Sequence, residues 1–304
     1  MTSRKLVECV PNVSAGRDED KIAAMAEAIR AVPGVYLLDI QSDPDHNRTV
    51  FTFVGPAEPV VEAALRLAEL AVKLIDLRAH RGEHPRMGAL DVLPFVPVRG
   101  VTMGDCVMLA RNAGAQIWER FGVPVYLYAE AATRPERQDL AEIRKGEFEG
   151  FFEKIRRREW APDFGDPVVH PTAGVCAVGA REFLIAYNVN LGTSELRVAK
   201  EIAKAVRGSS GGLRYVKALG LELQGRGIVQ VSMNLTDFRK TPIARVTELV
   251  RREAQRFGVP VVGTEIVGLV PEEALLEAAA YYLGLENYSP DIVLERKLAQ
   301  AIES

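Results

Sequence analysis

The sequence predicts an α+β protein built from two similar halves, and three observations lead there. The order strand, helix, strand, strand, helix, strand can be read twice along the chain. A turn signature, Asn-Val-x-x-Gly, precedes the first helix of each half, at Asn12 and again 176 residues on at Asn188. The 304 residues are also long enough for two cores of about 150 residues each.

In order, Lys5 to Val10 alternates as a strand, and PNVSAG turns the chain into an amphipathic helix from Asp18 to Ala31 whose first turn is acidic. Val35 to Ile40 and Arg48 to Val54 read as strands, a long helix follows from Glu58 to Ile75, and DVLPFVPV, Asp91 to Val98, is the next strand. A helix from Met103 to Phe121, a short apolar strand from Val123 to Tyr128 and a charged helical stretch from Asp139 to Arg158 complete the first half. The second half repeats the order: Phe183 to Asn190 as strand, Ser194 to Val206 as helix, Val216 to Leu223 and Ile228 to Asn234 as paired strands, Pro242 to Phe257 as helix and VPVVGTEIVGLV as strand. This is the split βαβ arrangement of ferredoxin-like folds. The expectation is two βαββαβ-type subdomains, residues 1–178 and 179–304, each a sheet covered by helices on one face, with a substrate cleft between them.

Composition narrows the function. A net charge of −3 and a pI near 6.0 supply no global field for nucleic acid. Apolar runs are short and broken by charges, and MTSRKLVECV passes into a strand without a signal-peptide core, so a cytoplasmic protein with no membrane partner is expected. Cys9, Cys106 and Cys176 are scattered in apolar contexts, which reads as buried thiols.

The densest chemistry is HRGEHPRMGAL, His80 to Leu90. Its first five letters match H-x-x-E-H, a zinc-peptidase pattern that needs both histidines on one helix face. Gly82 lies between them and Pro85 follows His84, which biases His84 toward extended backbone. A loop without a metal is expected, and loops of this kind often carry function.

VECVPNVSAG, NRTVFTFVG, GEHPRMGALDVLPFVPVRGV, VPVYLY, WAPDFG and GAREFLIAYNVNL, spread in order along essentially the whole chain, resemble the formiminotransferase domain of formiminotransferase-cyclodeaminase. The resemblance covers the transferase domain and not the cyclodeaminase region, so group transfer without the following deamination is expected. The resemblance implies transfer of a formimino group from N-formimino-L-glutamate to N5 of tetrahydrofolate, a co-substrate that can be polyglutamylated, giving 5-formiminotetrahydrofolate and glutamate in histidine degradation. It also implies a homodimer. A formiminoglycine donor and a non-catalytic folate-binding protein are the alternatives.

The family's catalytic histidine lies in GEHPRMG, which here is His84; its ordinary pKa of about 6.5 suits a group that takes a proton and returns it. His80 stands outside the motif. Asp39, ending VYLLDI, is a candidate for orienting His84 or meeting a pterin nitrogen, and equally a turn former. Arg48 and Arg86 are candidates to clamp donor carboxylates, Arg86 the better placed because it lies in the motif. Glu83 is a candidate for the substrate ammonium or for loop support, and Asn12 for substrate contact or a structural cap. Folate contact falls, by the same resemblance, on Gly165, Asp166, Pro167, Val168, Val169, His170, Pro171, Thr172, Ala173 and Gly174. The basic run from Lys154 to Arg158 reads as a solvated helix face or an attractor for a folate tail.

Overall fold

In the computed structural model, which describes residues 5–223 and 225–303, the first strand is broken in two by Pro11, whose nitrogen cannot donate to a ladder. The pieces, β1 (Leu6–Cys9) and β2 (Asn12–Val13), lie between β4 (Arg48–Gly55) and β5 (Leu90–Arg99), antiparallel to both. β3 (Tyr36–Asp43) forms the outer hairpin strand on β4. With α1 (Glu19–Arg30) and α2 (Ala57–Leu74) as crossovers, this is the ferredoxin-like order. The helices cover one face: Phe51, Phe53 and Phe95 are sealed in one core with Met25, Ile29 and Leu67. Each such side chain contributes on the order of 1.5–3 kcal/mol.

Two parallel strands widen this sheet beyond the expected unit. β7 (Cys176–Ala180) pairs with β5, and β6 (Val125–Ala129), delivered by α3 (Met103–Phe121), pairs with β7. WAPDFGDPVVHPTAG therefore leads into a strand of the first sheet. The expected charged helix from Asp139 to Arg158 is instead α4 (Leu140–Arg144), α5 (Glu147–Lys154) and a single 3₁₀ turn, because Gly146 takes φ +91° and ends the first piece.

The chain divides between Arg181 and Glu182. In the second unit β8 (Ile185–Leu191) lies between β10 (Ile228–Leu235) and β11 (Val261–Val267), with β9 (Val216–Leu223) outermost. All neighbours are antiparallel, so both units place their first strand between their third and fourth and their second at the edge. α6 (Leu196–Val206) and α7 (Ile243–Arg256) pack a separate core, including Val189, Val231, Ile202 and Val250, against one face. Across the other face Glu265 accepts from Asn188 (2.9 Å) and Gln230 (3.2 Å), and Gln230 also donates to Asn190 (2.9 Å). α8 (Glu272–Leu283) and α9 (Leu294–Glu303) follow, outside the repeated pattern. Among the described residues no helix is long and apolar enough to cross a membrane.

Candidate active site

α2 ends at Leu74 and no helix resumes until Met103, so His80 to Ala89 is the expected loop and not a helical metal motif. The loop is tied at both ends. On one side Asn47, in the β3–β4 turn with φ +48°, accepts from Gly16 (2.9 Å) and donates to the Arg81 carbonyl (3.0 Å). On the other, Ala89 donates to Ala173 (2.9 Å) and Val175 to Met87 (3.0 Å), while Leu77 donates to Thr172 (2.9 Å).

The two histidines end in different environments. His80 Nε2 lies 2.8 Å from the Asn47 carbonyl, and its Nδ1 is sealed with no hydrogen-bond partner among the described residues. His84, 5% exposed, points Nε2 at Asp91 Oδ2 (3.2 Å), and its Nδ1 is neither sealed nor bonded among the described residues. Burial lowers the basicity of both rings; at His84 the Asp91 carboxylate opposes that effect, and the Arg144 and Arg48 guanidinium groups reinforce it.

Asp91 is the centre of this cluster and is fully buried. It occupies a β-bulge: Asn12 pairs with Val92 and Val13 with Leu90, which leaves Asp91 as the extra residue of β5, and bulges commonly re-aim a side chain beside an active site. Oδ1 accepts from the backbone of Met87 (2.8 Å) and Gly88 (3.2 Å), and Oδ2 accepts from Arg144 Nε (3.0 Å) and Nη2. Burial by itself would raise this carboxyl; Arg144, His84 and the loop N–H groups outweigh it and hold it far below the usual carboxylate range. Arg144 in turn sits at the end of α4, whose last carbonyls are capped by Lys154: Nζ reaches Glu142 (2.9 Å), Ile143 (2.6 Å) and Lys145 (3.0 Å). The expected solvated run thus begins with a buried lysine, lying 3.9 Å from the Trp160 ring centre.

The arginines divide as well. Arg86 forms a two-pronged pair with Glu149 (3.0 and 2.6 Å), approaches Glu147 (3.3 Å) and accepts through its carbonyl from Phe148 (2.9 Å), so it anchors α5. Arg48 is different: its Nε is buried without a partner, as that of Arg86 is, but its guanidinium makes no ion pair among the described residues, and the groups that perturb it are Arg144, Asp43 and Asp91. Burial and Arg144 lower its affinity for its proton, and the two aspartates oppose this without cancelling it.

None of the remaining expected residues hydrogen-bonds to the His84 ring among the described residues. The carboxylate on that ring is Asp91 and not Asp39, which stands opposite Thr52 and accepts from the adjacent Ile40 N–H (2.9 Å). Asn12 donates to the Val10 carbonyl (3.2 Å), bridging the break in its own strand. Glu83 is exposed and held through its backbone N–H to Asp45 (3.1 Å). Of the segment from Gly165 to Gly174, Asp166, Pro167 and Val168 are exposed, whereas His170 closes a tight turn: its Nδ1 accepts from Ala173 (3.0 Å) and Thr172 (3.4 Å). Asp91 and Arg144 were not recognised from sequence. The available signal was an acidic residue opening an otherwise apolar strand; Arg144 lies in a run of charges and carries none. Cys9, Cys106 and Cys176 are buried, as read from their contexts, and form no disulfide among the described residues. Among the described residues no group of three or more His, Cys, Asp or Glu side chains is arranged to hold a metal.

A doubled ferredoxin-like unit with a buried histidine in a GEHPRMG loop is the layout of a formiminotransferase. The chain belongs to the formiminotransferase domain family, the N-terminal subdomain matching residues 6–181 and the formiminotransferase domain residues 186–304. It is 53% identical to the glutamate formimidoyltransferase of Thermoplasma acidophilum, over 97% of this chain and 98% of that one. It is 49% identical to that of Streptococcus pyogenes serotype M1, over 93% and 95%. With the formimidoyltransferase-cyclodeaminase of Rattus norvegicus it shares 50% identity over 93% of this chain and 53% of the other, so it spans about half of that relative.

Proposed function

We propose that the protein is a glutamate formimidoyltransferase that moves the formimino group of N-formimino-L-glutamate to N5 of tetrahydrofolate, with His84 as the acid and base. The observation that carries this reading is the contrast between the histidines: His84 has one ring nitrogen held and the other open, while both nitrogens of His80 are enclosed. The names of the full-length relatives support the donor.

In the proposed reaction the N5 lone pair attacks the carbon of the protonated amidine, and the C=N π electrons move to the imino nitrogen. N5, now carrying a positive charge and its hydrogen, gives that proton to His84. The imidazolium returns a proton to the nitrogen bonded to glutamate, the C–N bond breaks with its electron pair leaving on the amine, and the imino nitrogen re-forms C=N to the carbon now on N5. Protons and charge balance through one histidine, which a pKa below the ordinary value keeps neutral and ready to accept near pH 7.

Arg48 is assigned to a donor carboxylate, because its buried guanidinium makes no ion pair among the described residues while Arg86 already holds two glutamates. Folate contact is assigned to the exposed part of Gly165 to Gly174, whose far end is strapped to the histidine loop through Ala173 and Ala89. Tetrahydrofolate-dependent release of glutamate from formiminoglutamate tests the function, with formiminoglycine in parallel. Faster turnover of formiminoglycine would shift the donor, and folate binding without turnover would remove the enzyme reading.

A further inference from the structure

We propose that Asp91 is a positioning residue that fixes the tautomer of His84, so that the proton travels through Nδ1 and never through Nε2. The inference rests on His84 being the acid and base, as proposed above. Asp91 lies in the bulge of β5 with four donors on it, two backbone N–H groups of the motif loop and two from Arg144 on α4, and with the His84 ring beside it. A carboxylate so surrounded is ionised and can only accept. The ring nitrogen facing it at 3.2 Å must therefore carry the hydrogen. A neutral imidazole has one N–H, which leaves the lone pair on Nδ1, the nitrogen that is open.

The geometry accounts for both halves of the transfer. When N5–H gives its proton to Nδ1, the imidazolium keeps its Nε2–H on Asp91, whose charge stabilises it without accepting the proton, because Arg144 and the loop N–H groups already favour the ionised carboxylate. Nδ1–H then passes to the departing amine, and the ring returns to its starting tautomer without turning over. The charged groups facing His84 come from three strands and helices: Asp91 on β5, Arg144 on α4 and Arg48 on β4. Of these only Asp91 favours the protonated ring.

Nitrogen-resolved NMR of the wild-type protein above pH 7 tests the tautomer directly and needs no variant. Hydrogen on Nε2 of His84 is the expected result; hydrogen on Nδ1 overturns the proposal. Asp91→Asn tests the consequence. The amide can offer its N–H to Nε2 and so move the ring hydrogen to Nδ1, and kcat is expected to fall about 10²-fold or more with KM within a few fold. The acid limb of kcat/KM should also move to lower pH, since the group that favours the imidazolium is gone. A folded Asp91→Asn protein with kcat within twofold of wild type would overturn the role. If the wild-type enzyme transferred no formimino group at all, the functional reading would fail while the tautomer measurement still stood or fell by itself.

Discussion

At the scale of single residues the site separates groups that look alike in sequence. His84→Ala should lower kcat by about 10²- to 10⁴-fold with folate affinity little changed, the usual range for a positioned acid–base group. His80→Ala should keep its chemistry, since among the described residues its ring bonds only to the Asn47 carbonyl. Burial depresses the pKa of His84, so the wild-type kcat/KM should hold near neutrality and fall only below the ordinary histidine value of about 6.5; that limb should be absent in His84→Ala. The two arginines give a matching pair. Arg48→Met should raise KM for formiminoglutamate roughly 10- to 100-fold, from the loss of a charge-assisted contact of about 1.5–3 kcal/mol. Arg86→Met should act on stability instead, because it frees Glu149 from its partner. Steady-state kinetics of both variants decide this, and a KM effect at Arg86 alone would reverse the assignment.

Elements set these residues in place through close approaches. A Cβ on Gly174 would stand 2.1 Å from the Met87 carbonyl oxygen, and one on Gly88 equally close to that of Val175. The histidine loop and the segment after WAPDF are thus zipped together where neither has room for a side chain. Gly174 also takes φ +72°, which costs an L-residue about 1–2 kcal/mol in addition to the clash. Gly174→Ala should therefore lower both the melting temperature and kcat, measured by calorimetry and turnover; an unchanged variant would show that the two segments are free to part. Lys154 plays the same supporting part for α4. Lys154→Met strips three carbonyls of their donor and should cost on the order of 1–3 kcal/mol, with kcat falling as Arg144 loses its support although Lys154 touches neither Asp91 nor His84 in the hydrogen-bond network.

For the whole molecule, the separate cores predict that residues 5–181, with their own sheet and their own sealed phenylalanines, unfold cooperatively when expressed without the rest. Denaturation followed by circular dichroism checks it, and a featureless melt would mean that the first core needs the second unit. Acid should destabilise the protein through Asp91. Its folded pKa is depressed, so the contribution is fully present above the unfolded value of about 3.9 and is lost as pH falls below it toward the folded value. Asp91→Asn should show a shallower loss of stability below pH 4 than wild type.

The order of elements in both units was legible in the sequence, because periodicity, turn residues and apolar strands act over a few residues. The histidine loop was legible for the same reason: Gly82 and Pro85 act on the backbone beside them. The Asn-Val-x-x-Gly repeat signalled a second unit, although Asn12 and Asn188 lie in strands β2 and β8 and not in the expected turns, and the same strand order recurs there. Where the charged stretch broke at Gly146, and where β6 and β7 joined the first sheet, a local pattern carried less information than the partner strand did. The identity of the groups around His84 was not legible at all. Asp39 and Arg86 were favoured by position in a strand and a motif, while the fold brought Asp91 to the ring through a one-residue bulge and Arg144 from 53 residues away. Local sequence determines which segments are helix, strand or loop, because those choices are made by neighbouring backbone and periodic burial. Which carboxylate faces the histidine, and which arginine is taken up by glutamates, was decided only by tertiary contacts between strands and helices distant along the chain.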